Sequence, residues 1–290
     1  MRISGAVVTV NSQIEDTRAD GSAIRTVRHE GGLRLKGKRT EPTLAKPLIT
    51  IITSTYNAAE HLPTALKSIR EQTYDNVELI VVDGGSRDGT LDILRENEDV
   101  IDYWISEPDK GIYDAWNKGL RLAQGEWICF LGADDRLMPD AIESMVTCTL
   151  TSQRSLEFVS GRVKLFRDGK AGRTIGRPWN WPEFRRYMCV AHTGAMHRSS
   201  YFKHYGEFDT LYRISGDYEI LLRAGSNLRA GFVDKVLTHA VLGGVSNREK
   251  AVFRENLRAK LSNGTCNRFW GAAFMVWAQF KWSVRRLLGK

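Results

Sequence analysis

The stretch Glu126–Asp135, "EWICFLGADD", decides the fold. Trp127 to Leu131 is an unbroken apolar run of strand length. It ends in two small residues, Gly132 and Ala133, and then in two adjacent carboxylates, Asp134 and Asp135. A short run with no polar alternation suits a strand covered on both faces, as in a parallel sheet. One carboxylate at its end could cap a helix, and "DDRLMPDAIESM" reads as a helix N-terminus that acids would favour. Two side by side repel unless a cation or a positively charged substrate group lies between them.

The same grammar repeats upstream. "PLITIITSTYN" (residues 47–57) carries a β-branched apolar strand over Leu48 to Thr53, and "AAEHLPTALKSIREQ" follows with helical spacing at Leu62, Leu66 and Ile69. Then come the strand "VELIVVD" (77–83), the turn "GGSRDGT", the helix "LDILREN", the strand or edge "DYWISEP" (102–108) and the helix "IYDAWNKGLRLA". Strands alternating with helices at this spacing predict an α/β, Rossmann-like, doubly wound and mainly parallel sheet flanked by helices. Such sheets bind ligands beyond the carboxyl ends of their strands, near a topological switch. Asp83 and the Asp134–Asp135 pair fall at such ends, so the charges are expected to line a cleft.

Asp83 sits in "VVDGGSRDGT". Ser86 or Asp88 could satisfy the turn and the helix start, which leaves Asp83 free to bond a base or ribose hydroxyl. The dinucleotide fingerprint G-x-G-x-x-G is missing, which disfavours that class of cofactor. For Asp134 and Asp135, a divalent cation bridging to a diphosphate would answer the paired charge.

The chain has 290 residues and a formal charge of +8, and that charge is unevenly placed. Residues 1–47 carry +4, residues 266–290 carry +5, and the span between carries −1. A nucleic-acid binder would more often charge the folded domain itself, so nucleic acid is not expected as a partner. Basic ends suit an anionic surface instead. The four cysteines show no C-x-x-C spacing, which points to a reducing compartment. No secretory signal or bilayer-length apolar run is evident.

Residues 1–46 read as a mostly disordered leader, because 11–46 lack hydrophobic periodicity. "GLRLKGKR" (32–39) fits the spacing of a phosphate loop, but Arg39 replaces the magnesium-binding Ser or Thr and no strand precedes it, so it is set aside. The end, "CNRFWGAAFMVWAQFKWSVRRLLGK" (266–290), is aromatic and then basic. An amphipathic helix lying in a membrane interface is expected there, with packing on the enzyme or on a second copy (a homodimer) as the alternative.

The ordered set "TIITSTYN…VELIVVDGGSRDGT", "SEPDKGIYDAWNKG" and "WICFLGADD" resembles family-2 glycosyltransferases of the GT-A fold, over about residues 48–245. Bacterial enzymes that build exopolysaccharide, O-antigen or glycolipid sugars are the most similar in character. The resemblance implies a domain at 47–245 followed by a helical extension at 246–290. It also implies a nucleoside-diphosphate sugar donor and a glycan or lipid-linked acceptor. Asp134 and Asp135 would fill the metal-binding role with Mn²⁺ or Mg²⁺, Asp135 being the more direct ligand. Gly132 departs from the Asp or Asn that many relatives carry. Thr55, Tyr56, Asn57, Asp83, Asn117, Lys118, Asp134 and His192 would face the donor, His192 lying in "CVAHTGAMHR". In "RISGDYEILLRA", Asp217 matches the base that takes the acceptor's proton, with Glu219 as runner-up. "LGGVSNREK" (242–250) resembles an end-of-domain segment that could close over the donor.

Inverting transfer in cell-surface polysaccharide or glycolipid synthesis is therefore expected. The place of action would be the cytoplasm, peripheral on the cytoplasmic face of the inner membrane. The rival is a degenerate membrane-surface scaffold or carbohydrate-binding subunit, against which the retained acids argue. A sugar nucleotidyltransferase would carry a Gly-rich, Arg-containing loop where "STYNAAEH" stands.

Overall fold

The computed structural model describes residues 10–17, 23–38, 46–242, 251–267 and 271. In chain order these form β1 (Val10–Thr17), β2 (Ala23–Gly31), a 3-10 turn (Leu33–Lys36), β3 (Ile49–Thr55), α1 (Leu62–Arg70), β4 (Val77–Asp83), α2 (Thr90–Glu96), β5 (Tyr103–Ser106) and α3 (Ile112–Leu122). There follow β6 (Trp127–Gly132), β7 (Arg136–Leu137), α4 (Ala141–Thr151), β8 (Phe158–Arg167), β9 (Lys170–Ile175), α5 (Trp181–Phe184), β10 (Met196–Arg198), α6 (Ser199–Tyr205), α7 (Gly216–Ala224), β11 (Ala230–Val241) and α8 (Ala251–Ser262).

The strands join one sheet in the order β1-β2-β5-β4-β3-β6-β10-β8-β11-β7, with β9 on β8. Its centre, β5-β4-β3-β6, is parallel, while β1-β2-β5 and β6-β10-β8 are antiparallel. The expected parallel core is present, and antiparallel strands extend it at both sides.

β6 shows why this stretch governs the fold. Trp127, Cys129 and Leu131 pack into one core with Leu62, Leu66 and Ile69 of α1 and Ile142 and Met145 of α4. Ile128 and Phe130 pack into the opposite core with Trp116 of α3, Phe202 of α6 and Ile220 of α7. Each such burial contributes roughly 1.5–3 kcal/mol, and a one-residue slip would exchange the two faces. The chain order reverses between β3 and β6, which are paired from Ile49↔Trp127 to Ser54↔Gly132. That reversal is the topological switch, and the paired acids follow directly after it.

The leader departs from expectation. Over its described residues it is ordered: β1 and β2 form a hairpin, and β2 pairs antiparallel with β5 through His29↔Ser106 and Gly31↔Trp104. The 3-10 turn within "GLRLKGKR" is an anchor. Arg34 pairs with the buried Glu78 and also donates to Leu122 O at 2.8 Å, while Lys36 reaches Glu98 at 2.8 Å. Two cations of the basic leader thus neutralise buried acids of the domain, where the sequence reading assigned them to an anionic surface. The aromatic and basic stretch of the tail and the segment 243–250 lie outside the described residues. Among those described, no helix is long and apolar enough to cross a membrane.

Candidate active site

At the end of β4, Asp83 is fully buried. Its Oδ1 accepts from Thr55 Oγ1 at 2.9 Å and from Ser86 Oγ at 2.5 Å. Its Oδ2 accepts from the backbone of Gly85 (3.1 Å) and Ser86 (2.9 Å) and from Ser106 Oγ (2.6 Å). The structure therefore uses Asp83 to build the rim, and Thr55, also buried, belongs to the same cluster. In this structure both side chains are bonded within the rim itself. The following loop is tied to the turn: Asn57 N donates to Ser86 Oγ at 2.7 Å and Asn57 Oδ1 accepts from Arg87 N at 2.9 Å. Asn57 adopts φ 47° to do this, a conformation Asn tolerates better than most residues. Tyr56 is the large aromatic side chain that projects from this loop, 66% exposed.

Across the rim lies an acid that the sequence reading passed over. Asp109 of "EPDKG" faces Gly84 so closely that a Cβ there would stand 2.6 Å from its Oδ2. Its Oδ1 accepts from Gly111 N at 2.8 Å, and burial is the main cause that pushes its carboxyl up. Lys118 folds back on this turn, donating to Pro108 O at 2.8 Å and pairing with Glu107 at 2.9 Å. Asn117 is turned away from the cleft: it is buried, and its amide donates to Phe208 O (2.8 Å) and accepts from Phe208 N (3.0 Å). Both polar ends of Asn117 are thus bonded to the backbone of Phe208, in the segment that leads to Asp217.

The paired acids stand apart from any helix start, because α4 begins only at Ala141. The dipole explanation for them therefore fails. Asp134 is exposed and Asp135 is buried. A Cβ at Gly132 would lie 2.9 Å from Asp134 Oδ1 and 2.9 Å from Asp135 Oδ2, so both carboxylates converge on the space that glycine leaves. Burial first, and then the neighbouring Asp134 charge, push Asp135 up to about 7. Thr193 and the backbone at Gly132 and Val241 pull it partly back.

His192, one residue before Thr193, is buried against Trp116 and Phe130, with ring centroids 5.5 and 5.7 Å away. Its Nε2 lies 3.0 Å from Nε2 of His197. Burial holds it down at about 3, so at neutral pH it is an uncharged ring.

The same aromatic floor leads to Asp217. Trp116 meets Tyr113 edge-on at 5.4 Å. The Tyr113 hydroxyl donates to Ile214 O at 2.8 Å, with Asp217 Oδ1 at 3.3 Å. Asp217 is the second residue of α7, and its Oδ1 accepts from Tyr218 N at 2.8 Å. Gly216 makes this approach possible, since a Cβ there would meet the Tyr113 ring at 2.8 Å. Burial is the main cause that lifts Asp217 to about 6. Glu219 is occupied elsewhere, paired with Arg223 and accepting from Asn263 Nδ2 at 3.1 Å.

The carboxyl end of the parallel strands therefore gathers Tyr56, Asp109, Asp134, Asp135 and Asp217 about a rim that the buried Thr55 and Asp83 help to build. No group of three or more His, Cys, Asp or Glu side chains capable of holding a metal occurs among the described residues, so protein carboxylates alone form an incomplete coordination shell.

A mainly parallel sheet carrying acids at its switch point is the architecture of GT-A glycosyltransferases, and solved members superpose on this chain. The crystal structure of S. aureus TarS residues 1–349 with UDP-GlcNAc matches with a TM-score of 0.60 at 17% identity, covering 79% of this chain and 70% of that one. The Pyrobaculum calidifontis mannosyltransferase PcManGT, solved with GDP-Man and Mn²⁺, matches at 0.55 and 21%, covering 80% and 68%. Against a longer TarS chain the match spans 39% of that protein's length.

The glycosyl transferase family 2 model matches residues 50–205. A PGL/p-HBAD biosynthesis glycosyltransferase of Mycobacterium bovis is 34% identical over 219 residues, covering 70% of this chain and 81% of the relative. An uncharacterized Mycobacterium tuberculosis glycosyltransferase is 31% identical over 225 residues, covering 73% and 82%. The chain belongs to glycosyltransferase family 2.

Proposed function

We propose that this chain is a metal-dependent, inverting hexosyltransferase that moves a sugar from a nucleoside-diphosphate donor to a hydroxyl of a glycan or lipid-linked acceptor. The observation that carries the reading is the joining, by one aromatic floor, of two kinds of acid. A convergent carboxylate pair stands at the switch point, and a single acid lifted toward neutrality opens α7.

Asp135 and Asp134 are the residues to hold a divalent cation, Mn²⁺ or Mg²⁺. The donor set fits such an ion: hard oxygen ligands converge on one space, and among the described residues no cation pairs with the buried Asp135. When bound, the metal supplies positive charge opposite the departing diphosphate. Tyr56 offers a face for the nucleotide, and Asp109 an acceptor for its polar edge.

Asp217 takes the acceptor proton. Its carboxyl, near 6, is largely ionised at pH 7 yet basic enough to work, the compromise a general base needs. Tyr218 N donates to Oδ1, which orients the carboxylate, and the Tyr113 hydroxyl stands 3.3 Å from the same oxygen. Single displacement with inversion needs one base and no enzymic nucleophile. The neighbouring carboxylates fit that economy, since Glu219 is committed to Arg223 and Glu255 to backbone donors.

The relatives named for PGL/p-HBAD biosynthesis support a lipid-linked acceptor. The reading extends to the cytoplasmic face of the inner membrane, which the aromatic and basic sequence of 266–290 suits.

Calorimetric titration with UDP, GDP and dTDP, each with Mn²⁺ and with chelator, tests the donor half. One nucleotide should bind only with the metal, and Asp135→Ala should weaken that binding by about 10-fold or more. A folded protein that binds none of them, or binds equally in chelator, defeats the reading.

A further inference from the structure

The loop that presents Asp217 is held by the helix of the C-terminal extension, α8. Glu255 lies in the second turn of α8, which packs against α7. Its Oε1 accepts from Arg213 N at 3.0 Å, and its Oε2 accepts from Ile214 N and Ser215 N, both at 2.8 Å. Three consecutive backbone donors converge on one carboxylate, immediately before the glycine and the acid that open α7. These are N–H groups at the entry to a helix, where intrahelical partners are lacking. The same loop is gripped from the other side by the Tyr113 hydroxyl on Ile214 O.

We infer that Glu255 is a positioning residue for transfer: the C-terminal extension, through this carboxylate, sets where the Asp217 oxygens stand relative to an acceptor hydroxyl. The inference rests on the reading of Asp217 as the base. Its physical content is that residues 213–215 have no other described tie of comparable number, so losing the clamp frees the peptide directly before the base. Misplacement of a reacting group by about 1 Å costs roughly 100-fold in rate. A full negative charge this close also bears on Asp217. Among the described residues, the charged or titratable groups facing Asp217 are Tyr113 from α3 and Glu255 from α8. On α7 itself the Glu219 charge is answered by Arg223. Arg258 of α8 is engaged by Asp209 and lies over the Tyr212 ring. Removing the Glu255 charge should lower the pH at which Asp217 loses its proton, since that charge is one of the causes raising it.

The test uses the full 290-residue protein and a panel of UDP-, GDP- and dTDP-linked hexoses, read as release of nucleoside diphosphate with water as acceptor. Wild type, Asp217→Asn, Glu255→Ala and Glu255→Gln are compared across pH 4.5–8.5. Glu255→Ala should lower kcat by about 10–100-fold while the donor KM stays within about twofold. Glu255→Gln keeps acceptor oxygen and should recover part of that loss, with the acid limb of kcat displaced to lower pH. Hydrogen exchange should show faster exchange at amides 213–215 in both Glu255 variants.

An inactive Asp217→Asn beside a Glu255→Ala whose kcat equals wild type overturns the positioning role. So does a Glu255→Ala that loses kcat and donor KM together with no rescue or pH displacement in Glu255→Gln, which is the signature of general damage. Asp217→Asn turning over like wild type would instead remove the base, a separate failure.

Discussion

Asp83 and Asp135 follow strands of the same parallel sheet, β4 and β6, on either side of β3, and both are buried at the same rim. Their surroundings are opposite. Asp83 meets three hydroxyls and two backbone donors, because Thr55 and Ser106 stand at neighbouring strand ends and Ser86 in the turn that follows β4. Asp135 is favoured as an anion by Thr193 and by the backbone at Gly132 and Val241, but burial and the Asp134 charge beside it outweigh them and push it up to about 7. An acid at a strand end is therefore structural or chemical according to whether its own chain answers it. The one whose charge burial and a like neighbour still oppose is the candidate for an outside partner.

The largest effect expected from breaking this contrast falls on Asp83. Asp83→Ala removes the acceptor of five hydrogen bonds, and at about 1 kcal/mol for each it should cost about 5 kcal/mol of stability. Calorimetric melting checks this directly. A melting temperature equal to wild type would mean that the turn finds other acceptors and that Asp83 is free to reach a donor.

Asp135→Asn should move stability the other way, and only at high pH. The folded state holds the Asp135 proton up to about 7, whereas the unfolded chain releases it near 4. Between those values the folded state binds more protons, so its stability falls as pH rises through that window and is level above it. Removing the carboxyl abolishes that loss. In chelator, the Asn variant should gain up to about 4 kcal/mol over wild type at pH 8 and nothing at pH 4. Added Mn²⁺ should narrow the difference by stabilising the wild type alone. An equal difference at both pH values would remove the strained carboxylate from the account.

How far the fold was legible follows from the range of the interactions. The strand and helix runs from Leu48 to Asp135 declare themselves because strands buried on both faces need unbroken apolar residues. The switch point then places the acids without further information. The hairpin of β1 and β2 was missed because an edge ribbon has polar residues and no apolar periodicity. Its anchors, Arg34 on Glu78 and Lys36 on Glu98, pair residues far apart in sequence. Glu255 was invisible for a related reason: its partners are backbone N–H groups, which no residue type advertises. Asn117 and Asp83 were assigned to the donor because their motif residues match, but the letters do not say which atoms of Phe208 or Ser106 will occupy them.

Tyr56 and Asn117 carry this lesson into the smallest expected effect. Both were expected to touch the donor. Asn117 has every polar atom used within the fold, while Tyr56 stands 66% exposed on a loop otherwise locked by Asn57. Ordering of that loop by Ser86 and Arg87 means that the ring can be presented to a planar base at little entropic cost. Tyr56→Ala should leave melting unchanged and weaken nucleotide binding by about 5–10-fold, in line with roughly 1 kcal/mol for an aromatic contact. Tyr56→Phe should restore it, since the face and not the hydroxyl is what stacks. Failure of the phenylalanine to restore binding would point to the hydroxyl as the contact. An alanine variant that binds like wild type would leave the base to Asp109 alone, and the exposed ring would face the acceptor side of the cleft instead.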